Sequence, residues 1–112
     1  MNVTIDRAQG VSIVRVRDAR LTYPVLAEFT STITAIIDSG ARVLLDLSSV
    51  TYVDSATIGC LMDLYRRAAA AGGELKLAGV HKRVESMLTM TGAEHFLEIH
   101  ADAPSAIKSF GG

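Results

Sequence analysis

A single cysteine, Cys60, leaves the chain unable to close a disulfide on itself, and its place in an apolar helical pattern reads as a buried, inert thiol. An excess of charge of either sign is missing as well. Eleven Lys and Arg stand against twelve Asp and Glu, for a formal net charge of −1, and only three Tyr and three Phe supply aromatic rings. Without a basic stripe or a set of stacking platforms, nucleic acid is a poor partner. Apolar residues make up 49% of the chain, yet polar residues interrupt them every few positions. No run reaches the ~18 residues needed to cross a bilayer, so no membrane insertion is expected. The opening MNVTIDRAQG has neither a basic start nor the apolar segment of a secretory signal, which makes the cytoplasm the expected location. A phosphate cradle is absent too: no GxxxxGK[ST] occurs, and Gly72-Gly73 follows a helical pattern instead of opening one.

What is present is an alternation of strand and helix patterns over a length, 112 residues, that suits one domain spanning 1–112. Val3 and Ile5, then Val11, Ile13, Val14 and Val16, alternate with polar residues on either side of Gly10 and predict a hairpin. From Pro24, which suits a first helical turn, Leu26, Phe29, Ile33, Ile36 and Ile37 recur at helical spacing until Gly40. Val43-Leu44-Leu45 with Leu47 is the short continuous apolar run of a strand covered on both faces. Ile58, Leu61, Met62, Tyr65, Ala68 and Ala69 then share a helical face, opposite Asp63, Arg66 and Arg67, and Gly72-Gly73 stops that helix. Leu75, Leu77 and Val80 predict a strand, and Val84, Met87 and Leu88 a helix running into Thr91-Gly92. Phe96-Leu97-Glu98-Ile99 predicts a last strand, and Pro104 to Phe110 a closing helix. Successive βα units of this kind call for right-handed crossovers and a mostly parallel sheet.

Chemistry concentrates in VTYVDSATIGCLMDL, Val50 to Leu64, where a strand turns into a helix at Asp54-Ser55. Helix-opening N–H groups lack intrahelical acceptors, so either Ser55 or Asp54 can serve as the cap, at about 1 kcal/mol. The sharper reading makes Ser55 a phosphoryl acceptor. Phosphoserine adds about −1.5 to −2 charges, which a helix N-terminus tolerates but a partner surface docked over the turn does not. Binding, more than folding, is then what modification controls. Catalytic readings fare poorly: no G-x-S-x-G surrounds Ser55, and His81, His95 and His100 occupy ordinary polar positions. His95 and His100 flank a strand without a Cys or carboxylate cluster to complete a metal site, so no metal and no cofactor are expected. Arg66 and Arg67 read as a solvated face supported by Asp63, while Leu64, off the apolar stripe, reads as exposed contact surface.

LLDLSSVTYVDSATIGCLMDLYRRA closely resembles the central segment of STAS domains, the anti-sigma-factor antagonists, where an L-D-L-S-like strand end leads into D-S-S-G-L-G and a helix. LKLAGVHKRVESMLTMTGAEHFLEIHADAPSAI is similar to the family's remaining strand, helix, T-G turn, strand and final helix, so the resemblance covers nearly the whole chain. It implies an α/β STAS fold: an N-terminal β-hairpin, then β-α units, with a mostly parallel five-stranded sheet and about four helices. It implies further that Ser55 is the phosphorylated serine and that the protein is no enzyme. The unphosphorylated form would bind an anti-sigma factor of the GHKL serine-kinase type, freeing a sigma factor, and a serine phosphatase would reverse the modification. The ATP and magnesium belong to the kinase.

Two departures from the pattern stand out. Asp54-Ser55-Ala56-Thr57-Ile58-Gly59 replaces a family Gly by Thr57, offering a second acceptor, and Ala19-Arg20-Leu21-Thr22 stands where the family often reads G-x-L-D, without the acid. The expected docking surface comprises Arg20, Leu21, Thr22 and Tyr23 with Asp54, Ser55, Ala56, Thr57, Ile58 and Leu64. The alternative is a scaffold or accessory STAS domain, in a stress-signalling assembly or a lipid-transport ATPase, making a standing contact there. A weak homodimer is left open.

Overall fold

The computed structural model describes residues 1–110 and bears out the α/β arrangement. Strands β1 (Val3–Ala8) and β2 (Val11–Val16) pair antiparallel around Gln9 and Gly10, with φ of 52° and 79°. Two successive left-handed residues are what a tight two-residue hairpin turn requires. After the two-residue strand β3 (Arg20–Leu21), helix α1 runs over Tyr23–Ile37 with Pro24 in its first turn. Strands β4 (Arg42–Asp46) and β5 (Tyr52–Val53) lead to helix α2 (Ser55–Ala70). Strand β6 (Glu74–Ala78), helix α3 (Lys82–Thr91), a short 3₁₀ turn (Ala93–His95), strand β7 (Ile99–His100) and helix α4 (Ala103–Ser109) complete the order.

The five-stranded sheet has the order β1-β2-β4-β6-β7, and every pairing after the hairpin is parallel. Its two faces follow from the strand period of two. Val14, Val16, Val43, Leu45, Leu75 and Leu77 point to the main core, where they meet Phe29, Ile33 and Ile37 of α1, Ile58, Leu61 and Leu64 of α2, and Val84 and Leu88 of α3. Val11, Ile13, Leu44 and Ala78 point the other way and are covered by Ala106 and Phe110 at α4. Double coverage is why Val43-Leu44-Leu45 is continuously apolar.

Two expectations are corrected. Phe96-Leu97-Glu98-Ile99 is not one strand: the 3₁₀ turn ends at His95, Phe96 is 57% exposed, and only Ile99 and His100 pair with β6. Gly92, at φ 78°, ends α3 in the left-handed conformation and starts the 3₁₀ turn, so the chain is still winding when it reaches Phe96. In addition, β6 ends at Ala78 and leaves Val80 outside it, while β5, the strand expected before Asp54, pairs not with the main sheet but with the unexpected β3 in a separate parallel ladder.

Candidate functional site

The β3–β5 ladder frames the site. Arg20 stands opposite Tyr52 and Leu21 opposite Val53. Leu21 and Val53 are fully buried, which ties both segments to the core, while Arg20 and Tyr52 face outward. The Arg20 guanidinium lies 4.5 Å above the Tyr52 ring, a cation–π contact. Tyr52 was not among the expected site residues: a lone ring in a short polar stretch carries no periodic signal.

From Val53 the chain enters Asp54, extended at φ −104° and ψ 175°, and then α2. Asp54, not Ser55, is therefore the cap. Its Oδ1 accepts the Thr57 N–H at 2.9 Å. Its Oδ2 accepts the Tyr23 N–H at 2.9 Å, at the start of α1, whose own cap residue Thr22 makes no side-chain bond. One carboxylate thus closes the first turns of two helices. The Thr57 hydroxyl above all, with the Tyr23 N–H next, holds the Asp54 carboxyl below the usual carboxylate range against the opposing effect of burial.

Thr57 is fully buried, with Oγ1 2.7 Å from both Asp54 Oδ1 and the Leu21 carbonyl oxygen. A hydroxyl has one proton, so these two acceptors share it. In this geometry the Thr57 hydroxyl is buried and hydrogen-bonded on the inner side of the turn. Ser55 and Ala56, on the first turn of α2, are exposed. Ser55 stands at the rim of a groove of about 450 Å³ between α2 and the α3 end, lined by Ile58, Met62, Ala93 and Phe96.

The expected surface therefore divides. Arg20, Tyr23, Ser55 and Ala56 are exposed, Thr22 and Asp54 half-buried, and Leu21, Thr57 and Ile58 buried beneath them. Leu64 is a correction: it is 2% exposed and packs in the main core. The core-facing row of α2 runs Thr57, Leu61, Leu64, Ala68, in steps of four, three and four, whereas Ala69 is exposed. Arg66 does pair with Asp63, at 3.1 Å, but Arg67 turns to Asp38, Nε at 2.9 Å and Nη2 at 2.7 Å, joining the ends of α1 and α2. Cys60 is half-buried and not fully buried, 2.9 Å from Thr30 Oγ1, and burial pushes its thiol pKa up, against ionisation.

The histidines lie apart. His81 Nε2 is 3.1 Å from the Ser48 carbonyl oxygen, His100 pairs with Glu98, and His95 is exposed. Among the described residues no group of three His, Cys, Asp or Glu is placed to hold a metal ion, and no helix is long and apolar enough to cross a membrane.

Comparisons with known proteins agree with this fold. A family model described as "STAS domain" matches residues 2–106. The anti-sigma-B factor antagonist of Bacillus subtilis is 25% identical over 112 residues, covering 96% of this chain and 100% of that one. Among solved structures, an anti-sigma-factor antagonist (STAS) domain protein from Planctomyces limnophilus superposes with a TM-score of 0.89 at 18% identity, over 98% of each chain. The phosphorylated form of the Bacillus cell fate determinant SpoIIAA gives 0.72 at 15% identity, over 96% of this chain and 98% of that one.

Proposed function

The chain belongs to the STAS domain family, and on that premise we propose that it is an anti-sigma factor antagonist whose binding is switched at Ser55. Unphosphorylated, it binds an anti-sigma factor of the GHKL serine-kinase type and so frees a sigma factor. Phosphoryl transfer from the kinase's ATP to Ser55 Oγ ends the binding, and a serine phosphatase restores it. The chain is substrate and ligand in this cycle, not catalyst.

The observation that carries the reading is the division of hydroxyls within one helical turn. Ser55 is exposed at the first position of α2, while the Thr57 hydroxyl, two residues on, is buried and engaged. A phosphate on Ser55 meets the open N-terminal N–H groups and the positive end of the helix dipole, so the fold tolerates it. The same dianion beside Asp54, on a surface covered by a partner, must be desolvated or repelled. The likeness over full length to a Bacillus subtilis anti-sigma-B factor antagonist supports the same reading.

The test is retention of proteins from the native cytoplasm on wild-type, Ser55→Ala and Ser55→Asp baits. An ATP-binding kinase held by wild type and Ser55→Ala and released by Ser55→Asp is the expected result. Equal retention of one partner by all three baits would overturn the switch and leave a scaffold.

A further inference from the structure

The two segments that meet at the β3–β5 ladder, residues 19–24 and 51–56, carry one acidic residue, Asp54, while the groove that Ser55 borders adds Asp63, which pairs with Arg66. The Asp54 carboxylate is consumed internally, since Oδ1 binds Thr57 and Oδ2 binds Tyr23. The one cation of these segments, Arg20, is exposed and, among the described residues, makes no ion pair; its guanidinium carbon lies over the Tyr52 ring, 4.5 Å from the centroid. Beside it Tyr23 is 74% exposed. These segments thus offer a guanidinium without an ion-pair partner and two rings, and their one carboxylate has both oxygens engaged by helix-start donors.

Stacking leaves a guanidinium's in-plane N–H groups free, which is the arrangement that takes a carboxylate through two parallel bonds. The ring also limits the rotamers that Arg20 would otherwise lose on binding, reducing the entropic cost. We propose that Arg20, held by Tyr52, is the specificity-determining contact of this docking surface, and that it selects a partner presenting an Asp or Glu side chain flanked by apolar residues that pack on Tyr23. This deepens the proposed function and rests on it. It also gives the switch an electrostatic basis: a phosphate on Ser55 adds negative charge to the surface that the partner's carboxylate approaches.

The test uses the purified kinase obtained with the wild-type bait. Its affinity is measured by calorimetry for wild type, Arg20→Ala, Arg20→Glu, Tyr52→Leu and Ser55→Asp, at low and high salt. The expected result is a loss of at least about tenfold for Arg20→Ala, a larger one for Arg20→Glu and an intermediate one for Tyr52→Leu. Wild-type affinity should fall with salt, and that of Arg20→Ala much less. Thermal unfolding of Arg20→Ala should match wild type, because the side chain is exposed. Wild-type affinity in Arg20→Ala overturns the inference, even if Arg20→Glu binds poorly, since no contact would then have been lost. Normal binding by Ser55→Asp overturns the switch instead, so the two failures are distinct.

Discussion

Asp54 Oδ2 accepts the backbone N–H of Tyr23, 31 positions earlier in the chain, at 2.9 Å and so joins the starts of two helices. The same carboxylate caps its own helix, α2, through Thr57. Asp54→Ala removes both attachments and is expected to lower stability by about 2 kcal/mol, or roughly 10 °C in Tm. Asp54→Asn keeps an oxygen for α2 but offers Tyr23 a donor instead of an acceptor, so its Tm should fall between those of wild type and Asp54→Ala.

Ser55→Asp is expected to leave unfolding nearly unchanged. A negative charge in a first helical turn contributes about 0.3–1 kcal/mol, and repulsion from the neighbouring Asp54 offsets part of that. A shift in urea midpoint equivalent to less than about 1 kcal/mol, together with loss of the kinase partner, is the expected outcome. A large loss of stability would make the variant useless as a mimic of modification.

For Thr57 the opposite holds. Thr57→Val keeps the volume but leaves the buried Leu21 carbonyl without its donor, at about 1–3 kcal/mol in urea unfolding. Mass mapping after phosphorylation of the folded protein should find phosphate on Ser55 and none on Thr57.

Leu64 is a core residue, so Leu64→Ala should destabilise by about 2–5 kcal/mol while the folded fraction retains partner affinity. Unchanged stability with weakened binding would return Leu64 to the surface.

Acid sensitivity should trace in part to the far edge of the sheet. Lys76, 6% exposed, donates to the Ser109 carbonyl at 3.0 Å and lies 2.9 Å from Glu98. The Lys76 bond first, and the His100 bond second, hold the Glu98 carboxyl at about 2 instead of 4.5. Its folded pKa is depressed, so its contribution is complete above 4.5 and is lost as pH falls towards about 2. Between those values Glu98→Gln should show a flatter decline of stability than wild type. An NMR titration of Glu98 in Lys76→Met should move the midpoint upward.

The residue pattern carried the hairpin, three of the four parallel strands and all four helices, because each repeats its period often enough to be read. Val43-Leu44-Leu45 announces a doubly covered strand; Leu26, Phe29, Ile33 and Ile37 announce a helix. The strand at the end of the sheet was misplaced, because Phe96-Leu97-Glu98-Ile99 has strand composition but a 3₁₀ turn delays its arrival at β6. Two-residue strands show no period, and so the β3–β5 ladder, and Tyr52 with it, escaped notice. The helix start at Asp54-Ser55 was legible from the local pattern. The assignment of cap to Asp54, and the engagement of the Thr57 hydroxyl, depend on Tyr23 and Leu21 arriving from more than thirty positions away, which no local pattern encodes.

The β3–β5 ladder also separates two kinds of constraint at adjacent positions. Leu21 and Val53 are locked into the interior, while the side chains of Arg20 and Tyr52, one residue before each, face outward and meet in the cation–π contact. If Arg20 and Tyr52 read the partner as proposed, exchanging this outer pair should change which partner is bound and leave the folded core as it is. On that proposal, a cell carrying several such domains would insulate parallel signalling lines from one another by drift at a few outward positions, each domain keeping the same interior.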